Sequence, residues 1–192
     1  MYEGFYGLQE RPFALLPDPS FLFLSKGHST ALTLLRYSIL NRQGFTVVSG
    51  EVGSGKTTLI NRLLDEMKSG MTVGLINFTT RSFGEMAEWI MMAYGLPYKN
   101  KSKVELYDDF VQFMIREYAA GRPVVLIVDE AQNLGIRGLE EIRMLSNVNA
   151  QKDHLLHVIL VGQPELRSLL QAPQLRQLTQ RVSVAFHLRP LT

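Results

Sequence analysis

The chain has 192 residues, 46% hydrophobic and 20% charged, which is long enough for one sizeable domain with its own core. Twenty basic against eighteen acidic side chains leave a formal charge of +2, too balanced for a general nucleic-acid or membrane-surface field. There is no cysteine, so nothing depends on disulfides or thiolate chemistry, and a reducing compartment is natural.

The opening "MYEGFYGLQERPF" lacks a basic stretch followed by an apolar one, and no apolar run approaches 18 residues, so neither a signal peptide nor a membrane span is expected in this chain. "RPFALLPDPSFLFLS" (11 to 25) is rich in proline and aromatics and reads as an extended arm, residues 1 to 25, lying on the body of the domain. Ser25 is placed to cap a helix running to about Asn41, with Ala31, Leu32, Leu35 and Ile39 on its buried side and Gly44 ending it. Five strands follow, at 45 to 49, 71 to 77, 123 to 129, 155 to 162 and 182 to 188. Most are continuous apolar runs, as strands buried on both faces of a parallel sheet are. Helical patterns lie near 57 to 68, 82 to 94, 103 to 119, 136 to 147, and 164 to 179, the last broken at Pro173. Alternating strands and helices predict an α/β three-layer sandwich. The end, "HLRPLT", stops after a strand with no closing helix, and the sequence reads as a piece cut from a longer protein.

"GEVGSGKTT" (50 to 58) carries three glycines, each costing roughly 1 kcal/mol relative to alanine in regular structure. The spacing Gly50-x-x-x-x-Gly55-Lys56-Thr57 fits a phosphate-cradling loop in full. Backbone N–H groups of Gly50, Glu51, Val52, Gly53, Ser54, Gly55, Lys56, Thr57 and Thr58 form the cradle, Lys56 reaches β/γ, and the Thr57 hydroxyl serves Mg²⁺. A strand precedes the loop and a helix follows it, which is the context the motif requires, so a nucleoside triphosphate is the expected ligand.

"VVLIVDEAQNL" puts Asp129 and Glu130 at the C-terminal end of a buried strand, the edge where open α/β sheets bind ligands. Two carboxylates there are costly unless they meet a cation. Asp129 is expected to share the Mg²⁺ shell with Thr57, and Glu130 to orient or deprotonate the attacking water. "VILVGQPEL" brings Gln163 to the same edge, where its amide can bridge the γ-phosphate and that water. Arg181, with Arg176 in reserve, precedes the last strand and is expected to reach the γ-phosphate on a neighbouring subunit.

Taken together, "GEVGSGKTT", "LIVDEAQNL", "ILVGQPELR", "LRQLTQRV" and "FYGLQERPFALLPDPSFLFLS" resemble the ExeA-type AAA+ ATPases over essentially the whole chain. That family is associated with type II secretion, pilus biogenesis and, in a sister branch, exopolysaccharide export. The resemblance implies Lys56 and Thr57 as Walker A, Asp129 and Glu130 as Walker B, Gln163 at the sensor 1 position and Arg181 at the arginine finger. It implies a P-loop NTPase of AAA+ type with a parallel five-stranded sheet in the order 5-1-4-3-2, and ATP with Mg²⁺ as cofactors. Residues 1 to 192 would then be the AAA+ core, with a helical lid, an inner-membrane anchor and a peptidoglycan-binding region further along the protein. Ring-like or dimeric self-association, an inner-membrane secretion partner and a cytoplasmic location for this domain follow from the same resemblance.

The leading expectation is an ATPase that drives assembly of an envelope secretion or export machine. The alternatives are a DNA-dependent regulatory ATPase of the transposition-helper type, for which a +2 chain advertises no basic track, and a nucleotide-gated switch with little turnover. Phe13, Leu16 and Phe21 of the arm are read mainly as core, with an adenine contact as the second reading. His28, His154, His157 and His187 are read as non-ligands, and Trp89, Met91, Met92 and Tyr94 as packing residues of their helix or as a face towards a neighbour.

Overall fold

Ser25 stands in an extended conformation with its hydroxyl 3.3 Å from the backbone N–H of His28, satisfying one of the donors a helix start leaves open. That cap opens the helical part of a computed structural model that describes residues 5–7, 24–67, 70–77, 85–150 and 153–189. Helix α1 (Lys26–Leu40) buries Ala31, Leu32, Leu35 and Ile39, the four positions expected. It stops before Gly44. Arg42 takes the left-handed turn at φ 49°, held by its guanidinium 4.6 Å over the Tyr118 ring and 3.8 Å from Asp153.

The chain continues through β1 (Phe45–Gly50), α2 (Lys56–Glu66), β2 (Thr72–Asn77), α3 (Met86–Ala93), α4 (Lys103–Ala119) and β3 (Val124–Asp129). A short 3₁₀ turn, Ala131–Leu134, leads into α5 (Gly135–Leu145). A two-residue hairpin of β4 (Asn149–Ala150) and β5 (Asp153–His154) precedes β6 (Leu156–Gly162), α6 (Pro164–Leu170), α7 (Arg176–Thr179) and β7 (Val182–Leu188). The long strands form one sheet in the order β2-β3-β6-β1-β7, every pair parallel. Numbered among themselves, these five strands run 5-1-4-3-2.

Sequence pattern and sheet position agree. The three central strands β1, β3 and β6 are buried at every residue, Thr46, Ser49 and His157 included, whereas the edge strands β2 and β7 are buried intermittently. Helices α1 and α2 cover one face, where Leu59, Leu63, Val125, Ile127 and Ile159 pack. Helices α3 to α7 cover the other, where Phe110, Met114, Leu126, Val128, Leu139 and Leu160 pack. Each such fully buried aliphatic side chain contributes about 1.5–3 kcal/mol relative to exposure, so the sheet is fixed between two continuous cores. Tyr94 closes one end of the second core by lying against Phe110 and Phe113 and filling the space over Gly74, where a Cβ would meet its ring at 2.8 Å.

With all strands parallel, their C-terminal ends share one edge. Ser49 pairs with Gly162 and Asn77 with Asp129, so the segments after β1, β3 and β6 emerge side by side. Phe13, Leu16 and Phe21 lie outside the described residues. No helix among the described residues is long and apolar enough to cross a membrane.

Candidate functional site

The loop after β1 turns directly into α2, and its three glycines are needed for three different reasons. A Cβ on Gly50 would stand 2.6 Å from the Leu188 carbonyl oxygen and 2.6 Å from Ser54 Oγ, so strand β7 excludes any side chain there. Gly53 has φ 77° with open space around it. Gly55, at φ 83°, is the residue from which α2 starts, and a Cβ on it would stand 2.8 Å from His28 Nε2. Gly50 and Gly55 are therefore required by the protein's own packing as well as by the motif. Among the described residues, no backbone carbonyl accepts from the N–H groups of Gly55, Lys56, Thr57 or Thr58. These donors and the positive end of the α2 dipole form a row suited to an anion. Lys56 is 7% exposed and folds its ammonium back over the loop, donating to the carbonyls of Gly50 at 2.8 Å and Glu51 at 2.9 Å. Ser54 Oγ is buried beside it with no partner among the described residues.

The acidic pair after β3 closes on this loop. Thr57 Oγ1 donates to Asp129 Oδ2 at 3.1 Å, and Asp129 Oδ1 accepts from the Glu130 N–H at 2.9 Å. Glu130 sits at φ 54°, a left-handed conformation that costs a non-glycine residue roughly 1–2 kcal/mol. Its Oε2 accepts from Gln163 Nε2 at 3.1 Å and from Gln132 Nε2 at 2.5 Å. Gln132 Oε1 in turn accepts from the Gln163 backbone N–H at 3.1 Å. A backbone N–H only donates, so this bond fixes which end of the Gln132 amide faces Glu130. Gln132 is a site residue that sequence reasoning passed over. It stood in "DEAQNL", and its trace lay in Gly162, where a Cβ would come within 2.5 Å of Gln132 Oε1.

A family profile described as an AAA domain matches residues 39–170, a span that runs from the end of α1 through the loop, the acidic pair and Gln163 to α6. The chain belongs to the AAA domain family. General secretion pathway protein A of Aeromonas hydrophila is 37% identical over 193 residues, covering 100% of this chain and 35% of its own length, so the chain spans about a third of that relative. The expected resemblance to ExeA-type ATPases is thereby borne out. Among solved structures, the ORC2 protein of Aeropyrum pernix in its ADPNP-ADP complexes superposes with a TM-score of 0.66 at 18% identity, covering 92% of this chain and 50% of its own. Cdc6p of Pyrobaculum aerophilum gives 0.60 at 18% over 93% and 51%. AMPPCP-bound DnaA of Aquifex aeolicus gives 0.52 at 18% over 92% and 51%. These three share the fold.

As an AAA domain, the chain is a P-loop NTPase, and residues 50–58 are the glycine-rich loop between β1 and α2. Lys56, Thr57, Asp129, Glu130 and Gln163 all gather at one sheet edge of this domain. Arg181 does not join them. It lies just before β7, seven residues and so roughly 23 Å of strand from the edge where Leu188 meets Gly50. There its Nη1 is 3.5 Å from Ser146 Oγ, and Arg176 is exposed on α7. Burial, then the neighbouring Arg181 charge, hold His154 below the ordinary imidazole range. His154 Nδ1 pairs with Asn149 at 2.7 Å, while His157 turns inward to the Gln43 carbonyl, and burial pushes its pKa down to about 4. His187 Nδ1 lies 3.1 Å from Ser49 Oγ. A cavity of about 460 Å³ between α3, α4 and α5 is lined by Ala87, Tyr107, Met144 and Leu145 and gathers none of the site residues.

Proposed function

We propose that this AAA domain binds ATP with Mg²⁺ and hydrolyses it, and that the whole protein uses the cycle to assemble an envelope secretion or export machine. The observation that carries the first part is the 3.1 Å contact between the Thr57 hydroxyl and the Asp129 carboxylate, since these two residues are 72 positions apart and meet beside an anion cradle. Two hard oxygen donors are the set Mg²⁺ prefers when it keeps most of its own waters. Ser54 Oγ, without a partner among the described residues, and the N–H row at the start of α2, with which no described backbone carbonyl pairs, are polar groups that phosphate oxygens would satisfy. Thr57 and Asp129 would hold the metal, which would supply positive charge against the charge that develops on the phosphates.

The chain's own residues supply the rest. Lys56 exchanges the two loop carbonyls it holds for phosphate oxygens. Glu130, held by two amides, orients the attacking water and takes its proton, and Gln163 links that carboxylate to the γ-phosphate position. Arg181, remote from the site of its own chain, acts on the nucleotide of a neighbouring copy in a homo-oligomer. The secretion role is supported by the 37% identity to a general secretion pathway protein. In this reading a helical lid and an inner-membrane anchor lie in the remainder of the longer protein, this domain is cytoplasmic, and the partner is an inner-membrane secretion protein.

Phosphate release from ATP by the longer protein tests the reading. Turnover that requires Mg²⁺, stops on chelation and is lost in Asp129→Asn is expected. Turnover indifferent to chelation and to Asp129→Asn would contradict it, and strong stimulation by duplex DNA would redirect the role from secretion to DNA.

A further inference from the structure

His28 lies outside every nucleotide motif, 26 positions before Ser54, yet it is 2% exposed and packs against the phosphate loop. Its Nε2 is 3.0 Å from the Ser54 carbonyl oxygen, and its Nδ1 is 2.7 Å from Ser25 Oγ. A carbonyl only accepts, so Nε2 carries the proton. In the neutral ring Nδ1 is then the acceptor and takes the Ser25 O–H, while the same Ser25 oxygen accepts the His28 backbone N–H at 3.3 Å. One residue therefore joins the cap of α1 to the loop.

The consequence follows from peptide geometry. In a planar trans peptide the C=O and the next N–H point in opposite directions. Holding the Ser54 carbonyl against His28 aims the Gly55 N–H away from it, to the side where the N–H row at the start of α2 stands open. The imidazole can come this close only because residue 55 has no Cβ, which would stand 2.8 Å from Nε2. Gly55 is therefore fixed twice, by φ 83° and by His28.

We propose that His28 is a positioning residue of the phosphate loop, an Nε2–H clamp that sets the Ser54–Gly55 peptide before nucleotide arrives. The proposal rests on reading residues 50–58 as the nucleotide site. It does not require His28 to touch the ligand. Its effect on affinity comes from preorganisation, because a loop free to flip that peptide must be ordered on binding.

Three variants separate a donor at the Nε2 position from mere filling of space. Gln at 28 can place an amide Nε2 near the position of the imidazole Nε2, Asn reaches only as far as Nδ1, and Leu fills space without donating. Calorimetric titration of MgATP into each protein is expected to show His28→Gln within about threefold of wild type and both His28→Asn and His28→Leu weakened at least tenfold, roughly 1.4 kcal/mol. Nitrogen-15 NMR of the nucleotide-free wild type is expected to show the Nε2–H tautomer, and amide exchange at Ser54, whose N–H donates to the Glu51 carbonyl at 3.1 Å, to quicken in His28→Asn. An Nδ1–H tautomer, or Gln and Asn variants with equal affinity, overturns the clamp. If wild type binds no ATP, the nucleotide reading fails, and tautomer and amide exchange in the free protein still decide the clamp.

Discussion

Replacing Lys56 removes the ammonium buried between the Gly50 and Glu51 carbonyls, so the consequence in the free protein has to be separated from the consequence for binding. Two hydrogen bonds from a charged donor stabilise by about 1.5–3 kcal/mol each, and relief of the cation's desolvation offsets several kcal/mol. The nucleotide-free Lys56→Ala protein is therefore expected within about 2 kcal/mol of wild type, and Lys56→Met, which keeps the apolar stem, nearer still. Binding is different. Nucleotide at a hundredfold its dissociation constant stabilises wild type by about 2.7 kcal/mol, roughly 5–11 °C of melting temperature for a chain of this size. Loss of one charge-assisted phosphate contact weakens binding by about a hundredfold, leaving only about 0.4 kcal/mol, or roughly 1–2 °C, at the same concentration. Differential scanning fluorimetry with and without MgATP measures both quantities in one series. A Lys56→Ala melting shift equal to that of wild type would refute the assignment of Lys56 to the phosphates.

His157 gives stability a slope with pH. Its folded pKa is depressed to about 4 against 6.5 unfolded, so its contribution is complete above pH 6.5 and is lost as pH falls towards 4, about 3 kcal/mol over the window. Urea melts from pH 7 to 4.5 should show this decline in wild type and not in His157→Asn, and parallel curves would contradict it. Gly50→Ala should lower stability by about 1–3 kcal/mol, because the new Cβ meets a backbone carbonyl 2.6 Å away; an unchanged urea midpoint would show that β7 can yield. Arg181→Ala should reduce turnover per subunit, by up to about 10³ to 10⁵ where both halves of the site are complete, and mixing it with Lys56→Ala should restore part of the rate. Undiminished turnover, or mixtures no better than either parent, would return Arg181 to a packing role beside Ser146 and His154.

What was legible in the sequence was carried by local pattern. The runs at 45 to 50, 124 to 129 and 156 to 162 lack an inside–outside alternation because those strands sit in the middle of the sheet, buried on both faces. Lys103–Ala119 is a helix at the bounds expected, opened by a capping box of Ser102 and Glu105. The loop at 50 to 58 was legible because its spacing is itself the geometry. The rest depends on contacts between distant positions. Nothing local to His28 says that Ser54 will lie against it, and nothing local to Gly50 says that Leu188 will. Gln132 was hidden because its partners, Glu130 and Gln163, come together only when β3 and β6 pair. The β4–β5 hairpin escaped because strands of two residues carry no period. Arg181 was found by its place before the last strand, and its remoteness from the loop appears only in the topology.

The central claim is that one sheet edge both holds ATP and cleaves it, with Glu130 serving the second task only. Glu130→Gln keeps a side chain that can still accept from the Gln132 and Gln163 amides and removes the base. Nucleotide titration and phosphate release should be measured side by side on this variant and on wild type, in the longer protein. The expected result is MgATP affinity within a few-fold of wild type and hydrolysis lower by about 10² to 10⁴. Hydrolysis at the wild-type rate by Glu130→Gln would contradict the account.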